Sequence, residues 1–375
     1  MFTTKKIVLV SVINDLVTDN RVNKTCLTLT ECGYSVVLIG RKLPNSLPIP
    51  EWDFKTTRMN LLFKKGPSFY LFFNIRLFFK LLFTKCDLLY SNDLDTLLPN
   101  YLISRLKKVP LIYDSHELFC DVPELVNSPT KRKIWMSIEK RIIPKLKNCI
   151  TVNYSIAKIF EEKYKVNFTT VRNIPTTQLN FVAKTRPELN LPPDEKIIIL
   201  QGAGINIDRG AEELVDAMAF IENAILLIIG SGDVWEILKQ KIKNQHLEKK
   251  VKLINKLPKS ELMHYTFNAD LGITIDKNTN LNYFYSLPNK IFDYIHAQLP
   301  VLASRLPEIE NIILRYNIGM FIDNHEPNHI ANKILEILSS AQYKDFKNNT
   351  KKILVDLNWE NEKLKLIEVI KRSER

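Results

Sequence analysis

Residues 199–233, ILQGAGINIDRGAEELVDAMAFIENAILLIIGSGD, carry the clearest indication of the fold. An apolar run leads into a glycine-rich loop, a helix-length segment follows, and a second apolar run closes the unit. This order predicts a strand, a helix and a parallel strand, the repeating unit of a doubly wound α/β sheet. Glycine is needed where backbone comes close to a ligand, because a Cβ would block the approach. We therefore predict a ligand-binding loop that contains Gly202, Gly204 and Gly210.

The same alternation of strands and helices runs through the chain. Strands are predicted at 7–11, 35–40, 87–91, 110–114 and 149–153, and again at 196–202, 224–232, 251–255, 270–276, 299–304 and 319–323. A proline-rich stretch without periodicity separates the two sets. Because 375 residues are too many for one ordinary core, we predict two doubly wound domains, 1–175 and 196–356, joined by a linker at 176–195. Ligands of such sheets bind beyond the carboxyl ends of the strands, so the cleft between the domains is the expected site.

The composition narrows the class of binding partner. A net charge of +12 favours an anionic partner, which is a nucleic acid, a membrane surface or a phosphorylated small molecule. No nucleic-acid recognition motif is present and the basic stretches are interleaved with large apolar residues, so no nucleic-acid partner is predicted. The five cysteines show no C-x-x-C spacing, which argues against a disulfide framework and a zinc site. The N-terminal apolar run fits a first strand better than a signal peptide, and a cytoplasmic location is expected.

A second informative stretch is YFYSLPNKIFDYIHAQLPVLAS, residues 283–304. Pro288 suits the first turn of a helix that ends before Pro300. The N-terminus of this helix, with Ser286 and Asn289 as polar donors and Lys290 on the first turn, favours an anion site. Asp293, one turn further, is placed to accept hydrogen bonds from ribose hydroxyls. The alternative is a capped core helix with a surface lysine.

Arg209 lies in the glycine-rich loop and suits a diphosphate, because its guanidinium donates two parallel hydrogen bonds. The loop lacks the third glycine of the dinucleotide-binding fingerprint, so a nicotinamide dehydrogenase is not favoured.

Together these motifs resemble glycosyltransferase family 4, a large retaining family with the GT-B fold. Its donor-binding domain is similar to the glycine loop with R-G followed by S-L-P-N-K-I-F-D-Y-I. DNRVNKTCLTLTECGYSVVLIGR (19–41), YSNDLDTLLP (90–99) and IYDSHELF (112–119) resemble its N-terminal domain. The resemblance implies two Rossmann-like domains with an interdomain cleft, and an amphipathic C-terminal helix, 357–375, that crosses back to the first domain.

The resemblance also implies roles for single residues. Arg209 and Lys290 would hold the donor diphosphate, and Asp293 would bind the ribose where the family usually has glutamate. Two positions depart from the family: Tyr285 replaces a glutamate that touches the sugar, and Ala203 replaces a second arginine. These departures leave the transferred sugar open and make an inactive homologue an alternative.

On the acceptor side, His116 matches a histidine that the family places near the transferred sugar; the alternative is a histidine satisfied inside a loop. Asp93 and Asp95 form a D-x-D, but two carboxylates are a thin shell for Mg²⁺, and the domain pattern is not that of the metal-dependent glycosyltransferase fold. We expect no metal and no other cofactor, and we assign Asp93 with His116 to catalysis, near the acceptor hydroxyl.

The segment around 63–83 carries many phenylalanines with Arg76 and Lys80 between them. Its longest uncharged run is too short to cross a bilayer. Two interpretations stay open, a helix at an anionic membrane interface and a core helix packed on the sheet.

The sequence thus predicts a metal-independent retaining hexosyltransferase-like enzyme. Its expected partners are a nucleotide-diphosphate sugar and a glycan or lipid-linked acceptor for cell-surface polysaccharide synthesis. The expected location is the cytoplasm or the inner face of the membrane. The alternatives are a GT-B nucleotide-sugar epimerase and an inactive membrane-associated homologue.

Overall fold

The computed structural model describes residues 5–17, 19–44, 46–176 and 181–374. The chain divides into two compact units, Met1–Asn173 with Asn361–Arg375, and Ile174–Glu360. Within the predicted linker, residues 177–180 lie outside the described residues, as does Arg375 of the predicted terminal helix. Leu189 and Leu191, also in the predicted linker, are buried in the core of the second unit.

The first unit contains a parallel sheet, which in its described part has seven strands. They are β1 (Ile7–Ser11), β2 (Ser35–Arg41), β3 (Lys55–Met59), β4 (Leu88–Asn92), β5 (Leu111–Ser115), β6 (Asn148–Thr151) and β7 (Phe168–Thr170). The helices are α1 (Asn20–Glu31), α2 (Gly66–Phe83), α3 (Leu94–Lys107), α4 (Pro123–Val126), α5 (Pro129–Ile142) and α6 (Tyr154–Tyr164). The strand order β3-β2-β1-β4-β5-β6-β7 changes direction between β1 and β4, the point where doubly wound sheets bind ligands.

The second unit repeats this plan with a parallel sheet of six strands in its described part. They are β8 (Lys196–Gly202), β9 (Ala224–Gly230), β10 (Val251–Asn255), β11 (Leu271–Thr274), β12 (Val301–Ser304) and β13 (Gly319–Ile322). The helices are α7 (Ala211–Ala217), α8 (Trp235–Asn244), α9 (Lys259–Asn268), α10 (Leu281–Phe284), α11 (Asn289–His296), α12 (Pro307–Tyr316), α13 (Pro327–Ser339) and α14 (Tyr343–Lys352). A last helix, α15 (Trp359–Ser373), contains the unit boundary near its start. The order β10-β9-β8-β11-β12-β13 places the change of direction between β8 and β11.

Strand β9 shows why these runs form central parallel strands. All seven of its residues are buried. Leu226 and Ile228 join the core on one face of the sheet, and Ile225 and Leu227 join the core on the other. A strand covered on both faces by helices needs apolar residues at every position, which is the pattern of a parallel sheet rather than of a half-exposed one.

Helix α2 holds the aromatic segment. Its residues Phe69, Phe73, Leu77 and Leu81 are buried, so the core-helix interpretation is correct for one side of the helix. No helix in the described part of the chain is both long enough and apolar enough to cross a bilayer.

Candidate functional site

The glycine loop of the second unit follows β8, at the point where the strand order changes direction. A Cβ added at Gly202 would meet its neighbours only at 3.9 Å or more, and one at Gly204 would meet its nearest neighbour at 3.7 Å. Neither contact is tighter than ordinary packing, so the fold itself does not require glycine at these two positions. Their missing side chains leave room beside the end of β8.

Gly210 differs from the other two loop glycines. Its φ is +76°, and a Cβ there would lie 2.5 Å from the backbone oxygen of Ile275. Glycine is required here by the turn and by close packing against β11 and the residues after it. Folding alone therefore explains Gly210, which was predicted to contact the donor.

Arg209 is held in the loop by three contacts. Its Nη1 donates a 2.7 Å hydrogen bond to Oδ2 of Asp276, its guanidinium lies 3.9 Å from the centre of the Tyr283 ring, and its backbone N–H donates to the carbonyl of Asn206. Its Nε has no hydrogen-bond partner in the described part of the chain. The guanidinium is thus oriented on one side and keeps donor capacity on the other.

Lys290 lies in the first turn of α11, and its Cε is 4.0 Å from the position that a Cβ at Gly202 would take. Burial lowers the pKa of Lys290 below its usual value, while Asp276 acts in the opposite direction and Arg209 adds to the lowering. Its ammonium forms no hydrogen bond or ion pair with another described residue. Asp276 is fully buried, and its Oδ1 has no hydrogen-bond partner in the same described part of the chain. Two basic side chains therefore lie near one buried carboxylate beside the open glycine loop, and Arg209 alone pairs with it.

Ser286 and Asn289 lie just before and at the start of α11. The hydroxyl of Ser286 donates 2.9 Å to the carbonyl of Tyr283, and Asn289, the first residue of the helix, is exposed. The serine side chain supports the turn in front of α11, whereas the amide of Asn289 faces solvent.

Asp293, the predicted ribose ligand, already has two partners. Its Oδ2 accepts a 2.9 Å hydrogen bond from Nε2 of Gln201, and its Oδ1 pairs with the ammonium of Lys259. A carboxylate offers about four acceptor positions, so both partners leave room for a further donor. Gln201 is fixed in turn by the hydroxyl of Thr266, which donates to its Oε1 at 2.7 Å.

In the first unit, Asp93 connects the ends of β4 and β5. Its backbone has φ 58° and ψ 169°, an unusual conformation for a residue other than glycine. Its N–H donates to the carbonyl of Asp114 at 2.8 Å, and its Oδ1 accepts from the backbone N–H of His116 at 2.8 Å. Strained backbone of this kind persists where the surrounding structure fixes it, often at functional sites.

His116 lies between two carboxylates. Its Nδ1 is 3.1 Å from Oδ2 of Asp93, and its Nε2 is 3.6 Å from Oδ2 of Asp114. Burial alone would lower the pKa of His116, but the two carboxylates raise it well above its usual value. Its Nε2 has no hydrogen-bond partner among the residues that the structure describes. The two carboxylates therefore favour the charged form of the ring, and its buried Nε2 lies nearest to Asp114.

Asp114 is anchored from α1. The guanidinium of Arg21 donates two hydrogen bonds to its carboxylate, at 3.1 and 2.6 Å, and the hydroxyl of Tyr90 donates a third at 2.9 Å. Although burial opposes it, Arg21 and His116 hold the pKa of Asp114 far below its usual range. Asp114 is thus a fixed anion against which His116 is oriented.

Asp95, the second carboxylate of the D-x-D, belongs to a different environment. It is buried at the start of α3, and its Oδ1 has no hydrogen-bond partner in the described part of the chain. Burial, with the charge of Asp93, raises the pKa of Asp95 well above its usual value. The described residues include no cluster of three or more histidine, cysteine or acidic side chains arranged to hold a metal.

Sequence reasoning missed four residues that build these two sites: Arg21, Lys259, Asp276 and Tyr283. Arg21 lies within the quoted motif 19–41, in the first turn of a helix, where a carboxylate is more usual than a basic residue. This unusual placement was a signal that Arg21 pairs with a residue distant in the sequence. Asp276 is the last residue of the predicted strand 270–276 and lies two positions beyond β11, and this place at the carboxyl end of a strand was the available signal.

The whole chain is similar in fold to solved glycosyltransferases. It matches a sucrose-phosphate synthase from Thermosynechococcus elongatus with 18% identity and a TM-score of 0.75, over 98% of this chain and 99% of that one. It matches HepE from Anabaena, solved with UDP-glucose, with 14% identity and a TM-score of 0.74, over 98% and 100%. It matches WaaG, a glycosyltransferase involved in lipopolysaccharide biosynthesis, with 13% identity and a TM-score of 0.69, over 97% and 99%. The two sheets with their helices are thus the Rossmann-like domains of the GT-B fold.

The family follows from the sequence. Residues 20–177 match the model of Glycosyltransferase Family 4, and residues 182–353 match that of Glycosyl transferases group 1. No curated protein matches the chain significantly in sequence. The chain belongs to the family-4 type of GT-B glycosyltransferases and is a glycosyltransferase, as the motifs predicted.

Proposed function

We propose that this enzyme transfers a hexosyl group from a nucleoside-diphosphate sugar to a hydroxyl of a glycan or lipid-linked saccharide. The observation that carries the proposal is the pair of cations, Arg209 and Lys290, beside the open end of β8. Only Arg209 pairs with the nearby carboxylate of Asp276, so the two basic side chains together favour an anionic ligand such as a diphosphate. Gly202 and Gly204 leave the room that a diphosphate backbone contact requires.

The reaction needs little covalent work from the protein. The bond between the anomeric carbon and the diphosphate oxygen breaks, the electron pair leaves with the diphosphate, and the acceptor oxygen forms the new bond. Arg209 and Lys290 stabilise the charge that grows on the leaving diphosphate. No residue is assigned as a nucleophile. Retention of the anomeric configuration then requires the acceptor hydroxyl to attack from the face that the diphosphate leaves. The proton of this hydroxyl can pass to an oxygen of the departing phosphate. This assignment requires no metal.

We assign His116 a role at the sugar. Its Nε2–H, which forms no hydrogen bond with a described residue, would donate to a sugar hydroxyl, and Asp93 and Asp114 fix the orientation of the ring. Asp93 gives both of its oxygens to His116, so we now propose it as a positioning residue for the histidine rather than as a group at the acceptor hydroxyl. Asp293 would add ribose hydroxyls to its present partners, Gln201 and Lys259.

HepE, which has the same fold, was solved with UDP-glucose, and WaaG acts in lipopolysaccharide biosynthesis. HepE supports a nucleotide-sugar donor, and WaaG supports a role in cell-surface polysaccharide synthesis, which we propose to take place at the inner face of the membrane.

A screen of melting temperature against UDP, GDP and ADP, and against their sugars, tests the donor site, because a ligand that binds only the folded state raises the midpoint. Mass spectrometry of the preferred donor with and without saccharide acceptors then tests the reaction. We expect release of the nucleoside diphosphate and an acceptor heavier by one hexose. An isomerised sugar from donor alone would favour the epimerase alternative, and a bound donor without any turnover would favour the inactive homologue.

A further inference from the structure

Helix α2 has two apolar rows on opposite sides. The inner row, which faces the core, is Phe69, Phe73, Leu77 and Leu81, none more than 4% exposed. The outer row is Leu71, Ile75, Phe79 and Phe83, which are 65%, 45%, 51% and 81% exposed. Residues four apart lie on one side of a helix, and the two rows start two residues apart, about 200° around the axis. A helix that covers a sheet normally turns a polar side to water, and α2 does not.

The outer row continues on both sides of α2. Leu62 and Phe63, just before the helix, are 78% and 48% exposed, and the ring of Phe63 contacts that of Phe72 edge to face at 5.9 Å. On the neighbouring helix α3, which packs beside α2, Leu102 and Leu106 are exposed as well. The exposed surface of these two neighbouring helices therefore carries several large apolar side chains, and exposed apolar surface of this kind marks interaction sites.

The charge of the α2 segment has one sign. Residues 60–86 contain five lysines and arginines and no aspartate or glutamate. Lys80 and Lys85 are exposed. Helix α5, which packs against α3, adds a shallow hollow lined by Lys133, Lys140 and Arg141. Two copies of this surface would bring like charges together, whereas an anionic bilayer offers apolar depth and negative headgroups to the same surface.

We propose that the outer row of α2 docks on an anionic lipid bilayer, with α2 lying in the plane of the headgroups. The phenylalanines insert at the headgroup boundary, and the surrounding lysines pair with lipid phosphates. This inference deepens the proposed function, because it places the acceptor-side unit at the surface where a lipid-linked saccharide would be found. It stands on the exposed surface of α2 and its neighbouring helices and not on the donor site, so it can fail while donor binding and turnover on a soluble acceptor persist.

The experiment is flotation of the full chain with vesicles of phosphatidylcholine, with and without one third phosphatidylglycerol. We expect binding to the anionic vesicles only, with loss of binding at high salt because screening shortens the reach of the lysines. The double variant Phe79→Ser/Phe83→Ser should lose binding. Lys80→Glu/Lys85→Glu should weaken it by at least about fivefold per lysine.

Two matched controls separate docking from folding and from bulk charge. Phe220→Ser removes a phenylalanine that is 55% exposed in the second unit, and Lys351→Glu/Lys352→Glu makes the same charge change on α14, where both lysines are exposed. We expect both controls to float like the parent chain, and all variants to keep its melting temperature. The proposal is overturned if the parent chain does not prefer anionic vesicles or if the control charge variant loses as much binding. It is also overturned if Phe79→Ser/Phe83→Ser instead dissolves a dimer seen by sedimentation.

Discussion

The two candidate sites lie at equivalent places in their sheets but differ in how their charges are balanced. In the first unit Arg21 pairs with Asp114, and His116 lies between Asp114 and Asp93, so two basic side chains face two carboxylates. In the second unit Arg209 pairs with Asp276, whereas Lys290 forms no ion pair with a described residue. The first arrangement balances its charges and holds the histidine ring in place. The second keeps an excess of positive charge that a bound diphosphate would neutralise.

This difference explains the opposite pKa shifts of the two cations. Burial disfavours the charged form of both His116 and Lys290. The histidine has two carboxylates and its pKa rises, whereas the lysine has one carboxylate and a competing guanidinium and its pKa falls. A bound diphosphate would raise the pKa of Lys290, so the binding and the charge of this lysine are linked.

The largest expected effect is on the site of the first unit, where His116 lies between two carboxylates. His116→Ala should lower turnover by about a hundredfold or more, the usual cost of removing one preorganised donor from a reacting centre. Donor affinity should change little, because the diphosphate cations are in the other unit. Steady-state kinetics and calorimetric titration of the nucleoside diphosphate separate the two effects.

The same variant also tests the charge of His116. A raised pKa in the folded state stabilises the protein fully below the ordinary value of 6.5, and this contribution is lost as the pH rises through the folded-state pKa. The difference in unfolding free energy between the parent chain and His116→Ala should therefore shrink as the pH is raised above 6.5 in denaturant titrations. A difference that grows with pH, or a loss of donor affinity with full turnover, would contradict the role assigned to His116.

The site of the second unit should bind a nucleoside diphosphate less tightly when either Arg209 or Lys290 is replaced. Arg209→Ala and Lys290→Ala should each weaken nucleoside-diphosphate binding by about 1.5–3 kcal/mol, the range for a hydrogen bond to a charged group. Calorimetry measures this directly. Arg305→Ala is the matched control, since Arg305 is a half-exposed arginine of the same unit that pairs with Glu310. Unchanged affinity in both test variants would remove the diphosphate assignment.

The smallest expected effect comes from increasing the excess of positive charge in the second unit. Asp276→Asn removes the carboxylate near Arg209 and Lys290, so the diphosphate should bind more tightly at neutral pH by about 1 kcal/mol. The pKa of Lys290 should fall at the same time, because Asp276 raises it, and the affinity should decline at a lower pH than in the parent chain. Affinity measured across pH checks both statements. Glu236→Gln, an exposed carboxylate of the same unit, should leave the profile unchanged. Weaker binding by Asp276→Asn would mean that Asp276 acts mainly by holding Arg209 in place.

Most of the fold could be read from the chain because central parallel strands are continuous apolar runs. The two strands that sequence reasoning missed, β3 (KTTRM) and β7 (FTT), are the outermost strands of the first sheet. Edge strands are covered less completely, so they carry threonine and charged residues and lose the signal that marks the others. The sequence did not decide whether the aromatic helix α2 is a core helix or a surface helix, because α2 carries one buried and one exposed row of apolar residues.

The two doubly wound units, the glycine loop and the basic residues that follow it can be predicted from the amino-acid sequence, because these features depend on spacing over a few residues. The contacts of those residues depend on the tertiary fold. Arg21 meets Asp114 across 93 positions of the chain, and Arg209 meets Asp276 across 67. Periodicity within a strand or helix carries no information on such distant pairs. They form because parallel strands bring their carboxyl ends, and the polar residues that follow them, to one edge of the sheet.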